Sequence, residues 1–270
     1  MADKRPIGVF DSGLGGLTVV KEIKKQLPHE DVIYFGDTGR VPYGTRSVDT
    51  IKKYAFQDER FLLSKDVKLI VAACGTVSSV ASDLSKELPV PYFEVVSHAA
   101  KAAVDATKNG KIAVIGTNAT IKSSQHKSQI LKLNPKAEVI NCACPLFVSL
   151  VEEGWYSEND TIVIETVKRY LKPVIDFGAD TLILGCTHYP VLQNAISKVL
   201  GGNVTLINAG TMTAKAIAEF LSENKMENQS GGEYKFFVSD KPDFFKEQAT
   251  VLLNENIDEQ KVEKVDIGNL

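Results

Sequence analysis

No apolar run in these 270 residues approaches the length needed to span a bilayer, and the opening Met-Ala-Asp-Lys-Arg-Pro lacks the apolar stretch of a secretory signal. A cytoplasmic protein without a membrane partner is expected. Cysteine is scarce: four in a chain of this length make no disulfide framework, so in a reducing compartment they are free thiols, left for chemistry, metal binding or packing. Basic charge is not in excess either. Lys and Arg number 31 against 34 Asp and Glu, and no Lys/Arg stripe is broken by aromatics, so no field exists for a phosphate backbone. Nucleic acid is thereby excluded as the main partner.

The composition that remains, 44% hydrophobic and 24% charged, is that of a globular chain with enough length for two compact domains or one large one. Short apolar runs alternate with stretches of helical period, the pattern of a parallel sheet covered by helices on both faces. The runs predict strands at Ile7–Phe10, Val32–Phe35, Leu69–Ala73, Pro91–Val95, Ile112–Ile115, Ala137–Ile140, Thr181–Leu184, Val204–Ile207 and Tyr234–Val238. Helical spacing marks Thr18–Leu27, Val48–Leu63, Val77–Leu88, Ser123–Leu133, Thr161–Phe177 and Met212–Leu221. Glu223–Gly232 reads as a surface loop, and Glu255–Leu270 shows no period and stays unassigned.

The two halves resemble each other. Ile7-Gly8-Val9-Phe10-Asp11-Ser12 aligns with Ile112-Ala113-Val114-Ile115-Gly116-Thr117, and Lys68-Leu69-Ile70-Val71-Ala72-Ala73-Cys74 aligns with Asp180-Thr181-Leu182-Ile183-Leu184-Gly185-Cys186. In both copies a cysteine follows the same strand with a threonine close behind it. The natural crossover between the units is around Ser97-His98, with a return near Asn208-Gly210. The expected domains are therefore 1–97 plus 209–270, carrying Cys74, and 98–208, carrying Cys186.

Four segments are candidates for chemistry. Asp11-Ser12-Gly13-Leu14-Gly15-Gly16 stands where a strand ends and a helix begins, the place where doubly wound sheets bind ligands. Its glycines permit close backbone approach, yet the spacing is not that of a dinucleotide-binding G-x-G-x-x-G. The loop from Asp37 to Arg46 is dense in turn formers and carries Tyr43 and Gly44. Ala73-Cys74-Gly75-Thr76 sets a thiol at a strand end, before a helix whose N-terminal field would favour the thiolate. Gly185-Cys186-Thr187-His188-Tyr189-Pro190 does the same, with His188 close enough to orient or protonate Cys186 and Pro190 suited to a first helical turn.

A single cysteine at a strand end is ordinarily a packing residue, because free cysteine is among the most buried residue types. Two at equivalent positions are another matter. If the units face each other, the thiols approach one bound molecule from opposite sides, as inversion at a stereocentre requires. Cys142 and Cys144 follow a predicted strand, with alternation placing both on one face, and read as packing, with no metal site, since no cluster of further ligands accompanies them. His98 and His126 read as ordinary helix residues, and His29 as part of a polar loop. Two other readings stay open here: a thiol hydrolase or transferase using Cys186 as nucleophile and His188 as base, and a module that only binds a small anion.

Asp11-Ser12-Gly13 with Gly15-Gly16, Pro42-Tyr43-Gly44, Ala73-Cys74-x-Thr76, Cys144-Pro145-Leu146, Glu152-Glu153-Gly154 and Gly185-Cys186-Thr187-His188-Tyr189-Pro190 resemble, in order and spacing, the glutamate racemases of the aspartate/glutamate racemase family over nearly the whole chain. The resemblance implies an α/β fold of two related doubly wound parallel-sheet domains, with approximate two-fold symmetry and an active site in the cleft between them. It implies an isomerase that interconverts L-glutamate and D-glutamate, supplying D-glutamate for peptidoglycan, without pyridoxal phosphate, metal or other cofactor. A homodimer is compatible with it, and aspartate or a related amino acid is the alternative substrate.

By the same resemblance Cys74 and Cys186 are the two acid/base residues, assisted by Asp11 and His188 respectively. Asp11, Ser12, Tyr43, Gly44, Gly75, Thr76, Thr187 and His188 line the substrate site, and Thr117 and Thr120 hold the side-chain carboxylate. Glu153 supports the substrate ammonium or His188. His188 argues for the glutamate branch, where aspartate racemases tend to have an acid. One departure stands out: the family usually carries Asn after the first cysteine, and here Gly75 removes a side-chain donor and acceptor while keeping the backbone N–H.

Overall fold

The computed structural model describes residues 3–81, 88–258, 261–268 and 270. The chain runs β1 (Ile7–Asp11), α1 (Leu17–Gln26), β2 (Val32–Gly36), α2 (Val48–Leu63), β3 (Leu69–Ala72), α3 (Gly75–Val80), β4 (Tyr92–Glu94), α4 (Val95–Ala106) and β5 (Lys111–Gly116). It continues through α5 (Asn118–Ser123), α6 (Gln125–Leu133), β6 (Glu138–Ala143), α7 (Leu146–Glu152), α8 (Thr161–Phe177), β7 (Thr181–Leu184), α9 (Gln193–Leu200) and β8 (Thr205–Asn208). The last elements are α10 (Ala209–Glu223), β9 (Tyr234–Val238), α11 (Pro242–Leu253) and β10 (Val262–Lys264). No helix among the described residues is long and apolar enough to cross a membrane.

Two parallel-sheet α/β domains result. One sheet has the order β10-β9-β2-β1-β3-β4 and the other β6-β5-β7-β8. The first contains a four-strand order, β2-β1-β3-β4, that the second repeats strand for strand, so β1 corresponds to β5 and β3 to β7. Register agrees, with Ile7 opposite Leu69 in one sheet and Ile112 opposite Thr181 in the other. In each sheet the strand order reverses beside the first strand, which opens a crevice at the carboxyl ends. Cys74 and Cys186 follow β3 and β7, at matching rims of the two crevices.

The central strands read as continuous apolar runs because both faces are covered. One buried cluster runs under both sheets, joining Val9, Tyr34 and Val71 to Ile112, Val114 and Ile183, with Ala99 and Ala103 of α4 and Ile217 of α10 in the same cluster. A second covers the outer face of the β5–β8 sheet, and a third, which includes Cys74, the outer face of the β1–β4 strands. The crossover near Ser97-His98 lies inside α4, whose first turn is capped by the Glu94 carboxylate accepting from Val96 N at 2.5 Å and Ser97 N at 2.8 Å.

The helix expected over Ser123–Leu133 begins only at Gln125, because Ser124 takes a left-handed φ of 55° and separates it from α5, which Thr117 caps. The helix expected over Val77–Leu88 starts earlier, at Gly75, and the part of that expectation over 82–87 lies outside the described residues. The tail left unassigned supplies β10, which pairs in parallel with β9.

Candidate active site

Between the two rims lies a cavity of about 230 Å³. The first half contributes Ser12 from the loop after β1, Tyr43 and Gly44 from the loop after β2, and Cys74, Gly75 and Thr76 from the end of β3. The second half contributes Thr117, which follows β5, and Cys186, Thr187 and His188, which follow β7. Most of the expected site residues thus meet around one space, small even beside the roughly 300–1,000 Å³ of ordinary ligand pockets.

Asp11 and Thr120 are set one layer back. Asp11, the last residue of β1, is fully buried and accepts from Gly13 N at 3.1 Å and from Thr187 Oγ1 at 3.4 Å, reaching across to the other half. It acts on Cys74 through charge alone, since the hydroxyl beside Cys74 Sγ is that of Ser12, 3.8 Å away. Thr120 bonds to Thr117 Oγ1 at 3.0 Å, and Thr117 in turn meets Thr76 Oγ1 at 3.1 Å. These three hydroxyls form a chain that crosses between the halves.

Two glycines let the halves close. A Cβ on Gly15 would stand 2.2 Å from Thr187 Oγ1 and 2.7 Å from His188 Nδ1. A Cβ on Gly75 would stand 2.4 Å from the Gly185 carbonyl oxygen, so the two cysteine loops meet backbone to backbone there. At Gly75 the contact is with backbone, where at Gly15 it is with side chains.

The two thiols differ in surroundings. Burial, together with the charge of Asp11, pushes Cys74 up to about 12, against smaller opposing effects of the Val77 N–H and Ser12. The short helix α3 does not produce the thiolate expected from its N-terminal field; the loss of water outweighs it. Cys186 Sγ lies 3.7 Å from His188 Nδ1. Burial alone would lower His188, but Cys186 and Glu152 together raise it to about 10. His188 Nε2 is 3.3 Å from Glu152 Oε1, an ion-pair contact without hydrogen-bond alignment. Asp11 is itself raised by burial, partly offset by His188.

The partner of His188 is Glu152 and not Glu153, which is exposed to solvent. Helix α7 presents Val148, Ser149 and Glu152 to the cavity at helical spacing, and the next residue turns away by about 100°. That spacing, counted from Pro145, would have chosen correctly between the two. Tyr43 takes its expected place with a second role attached. Its ring lines the cavity, but its hydroxyl points outward into a buried cluster of Asp37, Arg40 and Asp58. Cys142 and Cys144 pack against the outer face of the second sheet, with the Cys144 carbonyl accepting from Tyr189 Oη at 2.8 Å. His98 lies in α4 and His126 in α6, where it is buried.

Comparison with known proteins agrees with this architecture. The glutamate racemase of Geobacter metallireducens is 45% identical over 241 residues, 88% of each chain. That of Neisseria meningitidis serogroup A is 42% identical over 269 residues, 98% of each. The crystal structure of glutamate racemase from Francisella tularensis in complex with D-glutamate superposes with a TM-score of 0.92 at 40% identity, covering 99% of this chain and 100% of that one. Glutamate racemase from Thermus thermophilus in complex with β-chloro-D-alanine superposes with a TM-score of 0.89 at 39% identity, each chain covered completely.

Two parallel α/β domains enclosing an acid–base cavity, in a chain this similar to such enzymes, define an isomerase of the amino-acid racemase class. The profile of the Asp/Glu/Hydantoin racemase family matches residues 7–217, and the chain belongs to that family. The hydrolase and pure binding-module readings fall with that membership.

Proposed function

We propose that this protein interconverts L-glutamate and D-glutamate by moving protons at Cα between two cysteines, without a cofactor, in the cytoplasm, where the D-glutamate serves peptidoglycan synthesis. The observation that carries the reading is the pair of thiols at corresponding strand ends, Cys74 from one half and Cys186 from the other, lining one small cavity. Glutamate as substrate draws support from the relatives, which are glutamate racemases, one of them seen with D-glutamate.

In one direction Cys186, beside the His188 cation, removes the α-proton while Cys74, a thiol at rest, delivers one to the opposite face. In the other direction the roles exchange. The His188 imidazolium keeps its proton throughout and stabilises the negative charge on Cys186 sulfur before that sulfur takes the α-proton, and Glu152 holds the ring in charge and place. Backbone N–H groups of the loops at Gly75–Thr76 and Thr187–His188 offer preorganised donors for the charge that grows on the α-carboxylate. The Thr76–Thr117–Thr120 chain faces the distal carboxylate. The ionisable groups that line the cavity include the two thiols, the His188 imidazole and the Glu152 carboxylate, and of these the thiols come from opposite halves. The domains that work against each other are 1–97 with 209–270, and 98–208.

The test is incubation of dialysed, chelator-treated protein with L-glutamate and, separately, L-aspartate, followed by chiral chromatography. The reading expects D-glutamate to approach half of the total, insensitive to carbonyl reagents that trap pyridoxal phosphate. Racemisation of L-aspartate in preference would contradict it.

A further inference from the structure

Behind the Tyr43 wall of the cavity, one hydroxyl proton faces two carboxyl groups. Tyr43 Oη touches Asp37 Oδ2 and lies 3.0 Å from Asp58 Oδ2, and both acidic side chains are fully buried. The cation facing them is Arg40, which sits over the Tyr54 ring. Its Nε donates to Asp37 Oδ2 at 2.5 Å, its Nη1 to Gln57 Oε1, and its Nη2 lies 3.3 Å from Asp58 Oδ1. Ser239 Oγ also donates to Asp37, at 2.7 Å to Oδ1. Glu59, next to Asp58 on α2, adds no positive charge to the balance.

Asp37, as a carboxylate, is thus met by Arg40, Ser239 and Tyr43. Asp58 receives one long guanidinium contact, and Tyr43 cannot aim its single proton at both acids. Two buried carboxylates against one guanidinium would leave a negative charge unpaired, a far costlier arrangement than one carboxylate and one neutral acid. We propose that Asp58 is held as the neutral carboxylic acid, its Oδ2–H donating to Tyr43 Oη, which donates in turn to Asp37, so that Asp58 is a positioning residue for the Tyr43–Gly44 wall of the substrate cavity. Burial and the charge of Asp37 act in the same sense, holding the Asp58 carboxyl well above the usual range. The chain reaches further: Gln57 Nε2 donates to the Gly268 carbonyl at 3.1 Å, tying this wall to the C-terminal segment.

The positioning role rests on the reading of the cavity as the substrate site; the protonation state does not. The infrared difference spectrum of wild-type protein against Asp58→Asn at neutral pH, without substrate, should contain a protonated-carboxyl C=O band that the variant lacks. Its absence overturns the assignment whatever the substrate proves to be. With glutamate, Asp58→Asn should keep KM within about twofold, because its N–H donates and its C=O accepts where the acid did. Asp58→Ala, which leaves Tyr43 Oη without its donor, should raise KM roughly tenfold. A KM as high in Asp58→Asn as in Asp58→Ala would mean that a carboxylate is needed and would overturn the proposal. If the band is present but Asp58→Ala keeps the wild-type KM, the positioning role is overturned and the buried acid stands; if wild type itself does not racemise glutamate, it is the substrate reading that fails.

Discussion

The Cys74 rim and the Cys186 rim occupy the same place in a repeated strand order, yet their chemistry is unequal. Cys74 has a hydroxyl beside it, a carboxylate behind it and a neighbour reduced to glycine; burial drives its thiol up to about 12. Cys186 has the His188 ring at 3.7 Å, with a carboxylate from α7 on the ring's far side. Topological equivalence positions two groups, and the side chains around each make their surroundings different. On the proposed mechanism the two thiols must act as donor and acceptor in the same turnover, and unequal surroundings suit them to unequal parts.

The largest effect should come from removing either rim. Cys74→Ser and Cys186→Ser should each lower kcat/KM by about a thousandfold, a loss of general acid–base function at one face. Persistence of normal racemisation in either variant would end the two-thiol account. His188→Asn should cost roughly a hundredfold. Because L- and D-glutamate are equal in energy, kcat/KM must fall equally in both directions, and the asymmetry should show instead in the separate kcat values and their primary isotope effects.

Gly75→Ala sharpens the comparison from the other side. Its methyl would meet the Gly185 carbonyl, part the rims and lower kcat by roughly tenfold or more through misplacement of the reacting atoms. An unchanged kcat would show that the close approach at Gly75 is incidental.

Glu152→Gln should reduce activity several-fold, while Glu153→Gln leaves it alone, which separates neighbouring residues by helix phase. His188 binds its proton more tightly folded than unfolded, so its contribution to stability is fully present below about 6.5 and lost as pH rises through about 10. Glu152→Gln should move that loss, and the alkaline limb of the activity profile, to lower pH.

The smallest effect belongs to His126, buried against Gly185 with neither ring nitrogen partnered among the described residues, its pKa pushed down by burial to about 4. The unfolded chain takes up this proton first. Stability should therefore fall as pH drops from about 6.5 to about 4, by roughly 3 kcal/mol, and then level off. Thermal unfolding of His126→Leu should lack that slope.

Much of this was legible from sequence. β7, β9, α2 and α8 have the bounds their patterns predict, since a short apolar run and a long helical period are local signals. The paired cysteines were legible as a repeat. What escaped depends on partners from distant elements. Nothing in the helical spacing of Val48–Leu63 marks Gln57 and Asp58 as buried, yet both are, because Arg40, Tyr43 and Gly268 come to them from elsewhere. Glu152 and Glu153 are alike as neighbours in sequence and differ only in which way α7 turns them. The high Cys74 pKa was hidden for the same reason, since the short-range helix signal said nothing about how deeply Asp11 and the second half would bury it.

Two bases on opposite faces leave a particular isotopic trace. With protonated L-glutamate in heavy water, stopped at low conversion, the account predicts D-glutamate carrying deuterium at Cα while recovered L-glutamate remains protonated, and the mirror result from D-glutamate. Deuterium entering recovered substrate as fast as product would mean that one group serves both faces, and would contradict the division of labour between Cys74 and Cys186.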